Sequence, residues 1–402
     1  MAYDDMVQAA VSGANGLTAR WARTWDSGGT ILSGAGAWPL LSALAEAADD
    51  PARGELAEAV GLPADEALDA ARELLRILEQ SPAVHTALGL WTALSVPINA
   101  QWAARLPSAA HGVLDPDPAR AQAALDAWVE KETEGLLHHM PVQVQPSTLL
   151  LLASALTVRT QWERPFDTSP TAGRGPWAER RALAGLFRTT ALSEAGFRVA
   201  MSDDGPVTLA TVRGRNGIDV VLALGEPDAH PGAVLATAAA TCGPLSEPGL
   251  RIERIESVDL ARPHPGPGLT VAEIHGFNPE PTASLQTVAF TVDAHHDLLK
   301  QAGLFGLRTA SDGSVGHFPG ISGVPLYVQE AAQDATASFS AEGFVAAAVT
   351  AVSMSRAAAM PSGTALRLTA SFDRPFGFAA VHRDTGLVLV CGWVTDPDDY
   401  PR

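Results

Sequence analysis

Eleven histidines, two cysteines and 45 acidic side chains are the raw material for catalysis or metal binding, so their spacing comes first. The pairs His138-His139 and His295-His296 are adjacent, and adjacent side chains leave a helix or strand in different directions, a poor start for chelating one ion. Asp203-Asp204 and Asp398-Asp399 lie in turn-like or terminal surroundings, where solvated charge accounts for them and a glycosidase pair is not required. Cys242 and Cys391 can form at most one bridge and have no zinc-ligand spacing; two unpaired thiols are the expectation. The chain contains no G-x-S-x-G elbow, H-E-x-x-H helix, G-x-G-x-x-G turn or G-x-x-x-x-G-K-[ST] loop. The reading is therefore a protein that is not an enzyme and uses no metal and no cofactor. The nine tryptophans are scattered along the chain, which suits core packing better than a stacking platform.

Whatever function exists must then come from the elements themselves. The net charge is −18, two lysines (Lys131 and Lys300) accompany 25 arginines, and no stretch gathers five positive charges, which argues against binding a phosphate backbone. No 18-residue apolar run is present, so no membrane partner is expected. The N-terminus MAYDDMVQAAVSGANG lacks a basic and an apolar leader region, which makes the cytosol the default compartment. Residues 6–25 carry Met6, Ala9, Ala10, Leu17, Trp21 and Trp25 on one helical face. Asp50-Pro51 and Asp117-Pro118 read as helix starts, the second leading to a helix that Gly135 would end. Helices are expected up to about residue 137. The apolar run 149–158 then reads as a buried central strand, and alternating or β-branched segments follow from 206, closing in a hairpin at Arg383-Asp384-Thr385-Gly386. Helices first and strands later, with no βαβ alternation, indicate an α+β fold in one domain, 1–402.

One stretch does not fit. Residues 343–363 lie between two strand-like segments and are long for a hairpin connection. The first half, GFVAAAVTAV, is small, apolar and uncharged; a flexible loop or short helix would explain it, and so would a segment able to enter a sheet.

Four segments, in order, resemble the serpins, a superfamily of serine-protease inhibitors. The C-terminal one carries Phe372, Arg374, Pro375, Phe376, Thr385, Gly386, Gly392, Val394 and Pro397 in the family's register. Residues 149–171 match with Trp162, Pro165, Phe166 and Thr171; residues 124–137 match with Trp128, Val129, Thr133 and Gly135; residues 298–322 are similar to the segment ending in G-I-S. The resemblance implies helices mainly from the N-terminal part around a large central mixed β-sheet, with smaller sheets and an exposed reactive-centre loop at 341–363. It further implies a hinge at Glu342, Gly343, Phe344, Ala346, Ala347, Ala348 and Thr350.

In inhibitory members a serine protease attacks this loop, forms an acyl-enzyme, and is trapped when the cut loop enters the central sheet. At about 3.3 Å per residue, roughly 13 inserted residues would carry the protease some 43 Å. Misplacement by about 1 Å can already cost about 100-fold in rate. Family spacing puts the scissile bond at Ala357-Ala358, which suits an elastase- or subtilisin-like protease; a loop one residue shorter would place Arg356 there and imply a trypsin-like one. The expected partner is a serine protease and the expected state a monomer.

The chain departs from the family pattern at several positions. Phe344 replaces a small hinge residue and Ala341 a Glu; the sheet-opening region reads Ser33-Gly34-Ala35-Gly36, with Ser154 and Gln333 where Asn and His are usual, alongside Trp162. Burying Phe344 would gain roughly 1.5–3 kcal/mol given room, or cost about 1–3 kcal/mol if it overpacks. A serpin-fold binding protein that no longer inhibits is the alternative. A motif-free α+β hydrolase stands behind it.

Overall fold

The computed structural model describes residues 3–106, 111–135, 137–140, 142–243, 249–255, 266–276, 280–344 and 363–401. Three β-sheets are wrapped by helices drawn mostly from the first third: α1 (Tyr3–Arg23), α2 (Gly34–Ala47), α3 (Ala52–Val60), α4 (Ala64–Gln80), α5 (Ala100–Ala103), α6 (Pro118–Glu132) and, later, α7 (Pro231–Ala240). The Asp117 carboxylate accepts from the Ala119 and Arg120 amides and Pro118 opens α6, as that dipeptide predicts. Gly135, at φ +78°, ends the segment, its amide donating to the Glu130 carbonyl at 2.7 Å. The Asp50-Pro51 expectation needs correction: α3 is preceded by Pro51 itself, with no side-chain cap, and begins at Ala52.

The central sheet runs β3 (His111–Leu114), β2 (Val84–Ala93), β4 (Leu150–Val158) and β15 (Glu330–Phe339), with β14 (Phe290–Asp297) along the far side of β15. β4 and β15 are parallel from Leu151↔Glu330 to Leu156↔Ala335. Beyond that seam they separate, and two short strands, β16 (Gly343–Phe344) and β5 (Thr160–Gln161), occupy the gap. A second sheet has the order β1 (Thr30–Leu32), β19 (Leu387–Val394), β18 (Phe376–His382), β10 (Ile218–Leu224), β9 (Gly205–Arg213), β8 (Phe197–Ser202) and β11 (Arg251–Arg254). The third is β12 (Leu269–Gly276), β17 (Gly363–Ser371), β13 (Thr282–Val288), β7 (Leu183–Ala191) and β6 (Asp167–Thr171). The second sheet has as many strands as the central one, so not every flanking sheet is smaller.

Four elements break the expected order of helices first and strands later: the early strands β1, β2 and β3, and the late helix α7. β2, VHTALGLWTA, mixes helix formers (Ala, Leu) with strand formers (Val, Thr, Trp); Leu88, Leu90 and Trp91 are enclosed between β3, β4 and the helices, and ladder pairing decides the outcome. α7, PGAVLATAAA, buries nearly all its residues against the second sheet and so has no polar face to reveal a helical period.

Where the central and second sheets meet, phenylalanines form the core. Phe290 stacks on Phe339 at 5.4 Å and lies 5.1 Å from Phe378, which in turn meets Phe344 at 5.9 Å. Trp21, Trp38, Trp162 and Trp177 are fully enclosed, in keeping with a packing role. Both cysteines are unpaired; burial pushes the Cys242 thiol up to about 11 and the Cys391 thiol higher still, so neither is a ready nucleophile.

Candidate functional site

After Phe339 the chain reverses within four residues. The Ser340 amide donates to the Gly343 carbonyl at 2.9 Å, and the Ser340 hydroxyl joins the same turn. Gly343 and Phe344 then run antiparallel to β15, opposite Phe339, and on their other side pair with Gln161 and Thr160. Glycine is required here by proximity: a Cβ at 343 would lie 2.3 Å from the Thr160 carbonyl oxygen.

Trp162 holds this turn from below. Its indole Nε1 donates to the Ser340 carbonyl at 2.9 Å and its amide to the Glu342 carbonyl at 2.8 Å, while its ring packs 4.7 Å from Phe339. The Phe166 amide donates to the Ala341 carbonyl at 2.8 Å. Glu342 Oε2 is buried with no hydrogen-bond partner among the described residues.

The expected exposure of the loop is corrected at its start: Ala341, Gly343 and Phe344 are buried, with Phe344 only 1% exposed. The alternatives for Phe344 resolve with it, since the ring has a seat beside Phe378. Ala346, Ala347, Ala348, Thr350, Arg356, Ala357 and Ala358 lie outside the described residues.

Lower along the seam, Ser33, Ser154 and Gln333 meet. Gln333 Nε2 donates to the Ser154 hydroxyl at 3.0 Å and to the Ser33 carbonyl at 2.9 Å, and Gln333 Oε1 accepts from the Ser33 amide at 2.8 Å. The Ser33 hydroxyl donates to the Leu389 carbonyl at 2.6 Å and caps α2 by accepting from the Gly36 amide. One glutamine thus spans the β4–β15 seam and ties it to α2 and the second sheet. All three residues are buried, so each bond is shielded from water. Trp162 stands apart from this group, at the turn that follows β15. The contributions of Ser340, Thr160 and Phe166 to the hinge were not legible in the sequence, because they are backbone contacts that no residue type announces.

The histidine pairs divide as adjacency predicts. His295 faces Asp334 at 2.7 Å, whereas His296 turns inward, its Nε2 bonding to the Ile31 carbonyl at 3.0 Å. Among the described residues no group of three His, Cys, Asp or Glu side chains could hold a metal ion, and no helix is long and apolar enough to cross a membrane.

A family described as Serpin (serine protease inhibitor) matches residues 13–179 and 287–397, well over half of the chain. Serpin-Z8 of Oryza sativa subsp. japonica is 26% identical over 367 residues, 86% of this chain and 82% of that protein. Serpin-Z12 of the same organism is 26% identical over 343 residues, 81% and 74%. Among solved structures, native protease nexin-1 with heparin gives a TM-score of 0.70 at 17% identity, covering 98% of this chain and 99% of that one. Human thyroxine-binding globulin complexed with thyroxine gives 0.71 at 16%, covering 98% and 99%. Serpin48 of the insect Tenebrio molitor gives 0.69 at 17%, covering 99% and 100%. At such identities the structural likeness speaks for the fold; the family match, over a chain whose seam and hinge have the geometry described above, shows that this protein belongs to the serpin family.

Proposed function

We propose that the chain is a suicide-substrate inhibitor of a serine endopeptidase, acting as a monomer without a cofactor and not itself an enzyme. The observation that carries this reading is the placement of Gly343 and Phe344 as the first rung of a strand between β15 and β5, in line with the β4–β15 seam below. A loop continuing from Phe344 would extend this rung only by parting a seam of six residue pairs.

In this reading the protease serine attacks the Ala357 carbonyl. The Ala357-Ala358 bond breaks, the Ala358 amine leaves, and an ester joins the enzyme to Ala357. Release from its tether lets the loop zip downward between β4 and β15, dragging the protease until its active site no longer supports deacylation. A small S1 pocket of elastase or subtilisin type suits Ala357; cleavage after Arg356 by a trypsin-like enzyme is the variant reading.

Incubation with elastase, subtilisin and trypsin, read by denaturing gel electrophoresis and mass spectrometry, tests this. The expected result is a detergent-resistant complex containing the protease and residues 1–357. Clean turnover of the chain by all three, with no complex, would overturn it. The second reading, a serpin-fold binding protein that does not trap, draws on the bulky Phe344 already seated in the sheet, an anchor that a rapidly inserting hinge does not need.

A further inference from the structure

Arginines that stand far apart in the sequence meet on one side of the molecule. Arg164, Arg188, Arg198, Arg213 and Arg254 line an open groove of about 520 Å3, to which Glu163 and Glu194 also contribute. Both carboxylates are engaged: Glu194 with Arg164 at 2.5 Å, and Glu163 with Arg383 at 3.3 Å. Arg188, Arg198, Arg213 and Arg254 have no carboxylate partner among the described residues, on a chain whose net charge is −18.

Three of these four are placed against their own electrostatics; the fourth, Arg213, stands across the β9–β10 ladder from Asp219, a carboxylate that Arg383 engages at 2.6 Å. Arg198 and Arg254 are directly opposite each other in the β8–β11 ladder, where like charges destabilise. Arg213 is on β9, four residues beyond Leu209, the partner of Arg198, and therefore on the same face. Arg188 is partly buried, its guanidinium 4.6 Å above the Phe166 ring and hydrogen-bonded to the Arg164 carbonyl at 2.9 Å. Burial, and then the charge of Arg164, lower its pKa to about 10. Such an arrangement is relieved by an anion with many oxygens. A carboxylate is planar and occupies one guanidinium fork, whereas linked tetrahedral phosphates offer acceptors in several directions, matching forks that converge from four strands, β7, β8, β9 and β11. The volume suits a compact ligand.

We propose that this groove binds a compact oligophosphate, held by Arg188, Arg198, Arg213 and Arg254. The experiment needs no protease, so its outcome is separate from the inhibitor reading. Inorganic tripolyphosphate is titrated into the full chain by calorimetry at 0.15 M salt, beside a nucleoside triphosphate and citrate. The expected result is saturable one-to-one binding of tripolyphosphate, weakened roughly 10- to 100-fold in Arg198→Gln and in Arg213→Gln, the loss of one charge-assisted fork. Arg251→Gln, on the opposite face of β11 to Arg254, leaves it unchanged. Without anion, the two groove variants melt no lower than the parent, which separates lost binding from lost folding. Tighter binding of the nucleoside triphosphate would identify nucleotides as the source of the phosphates; equal binding would identify the phosphate chain alone. Absence of saturable binding, equal loss in Arg251→Gln, or equal affinity for citrate would overturn the proposal.

Discussion

The Phe344 ring is enclosed at the hinge, and at about 25 cal/mol per Å2 of apolar surface its burial stabilises the docked turn by roughly 2 kcal/mol. Gln333 acts differently, through hydrogen bonds whose partners are themselves buried. Gln333→Ala would leave the Ser33 amide unpaired and cost about 3 kcal/mol, between the loss of one hydrogen bond and that of a small buried network. Urea unfolding of the variant checks this, and a loss below about 0.5 kcal/mol would mean that the network does not hold the seam. His296 makes the fold sensitive to pH. Burial holds its pKa below the usual 6.5, with its bond to the Ile31 carbonyl opposing, so as pH falls the unfolded chain takes up the proton first. Its contribution is present above about pH 6.5 and is lost as pH falls through the folded-state value. Asp334 works in the opposite sense: burial raises its pKa despite His295, so its contribution is present below 3.8 and lost as pH rises. Melting temperatures between pH 7.5 and 5.5 are expected to fall less steeply in His296→Gln than in the parent; parallel profiles would assign the dependence elsewhere.

At the scale of elements, the central sheet is closed along the β4–β15 seam and split above it, and β16 fills the split. In the proposed trap, this rung of two residues is where insertion would begin. Gly343→Ala places a methyl against the Thr160 carbonyl, a contact that backbone atoms cannot relieve by rotating a side chain. The expected outcome is release of β16 and a loss of about 1–3 kcal/mol. Trp162, now 1% exposed and bonded to two carbonyls of the turn, would report it by a red shift in fluorescence. An unshifted spectrum with unchanged stability would show that the hinge can dock without close approach to β5.

For the whole molecule, the proposed trap depends on a native state held away from a more stable one by a barrier. Roughly ten further inserted residues, at about 1 kcal/mol of net ladder bonding each, correspond to about 10 kcal/mol. At about 2 °C per kcal/mol for a large chain, nicking within 345–362 is expected to raise the melting temperature by on the order of 20 °C. Calorimetry of nicked and intact chains measures this, and equal melting would remove the spring while leaving the fold untouched. Much of the architecture was readable in one dimension. The buried run 150–158, the capped α6 and the terminal hairpin are set by apolar runs, caps and turn residues, which act locally. β2 and α7 were not readable, because ladder pairing decides between the mixed preferences of β2 and full burial leaves α7 no polar face to show a helical period. The residue types at the seam were legible too, Ser33, Ser154 and Gln333 among them, but their common hydrogen-bond network exists because α2 packs beneath the sheet. The same distinction governs charge. The amino-acid order shows a net −18 with no basic run, which is a statement about neighbours along the chain. Folding gathers five arginines from positions 164 to 254 into one groove, since strand pairing, not chain distance, sets which charges meet.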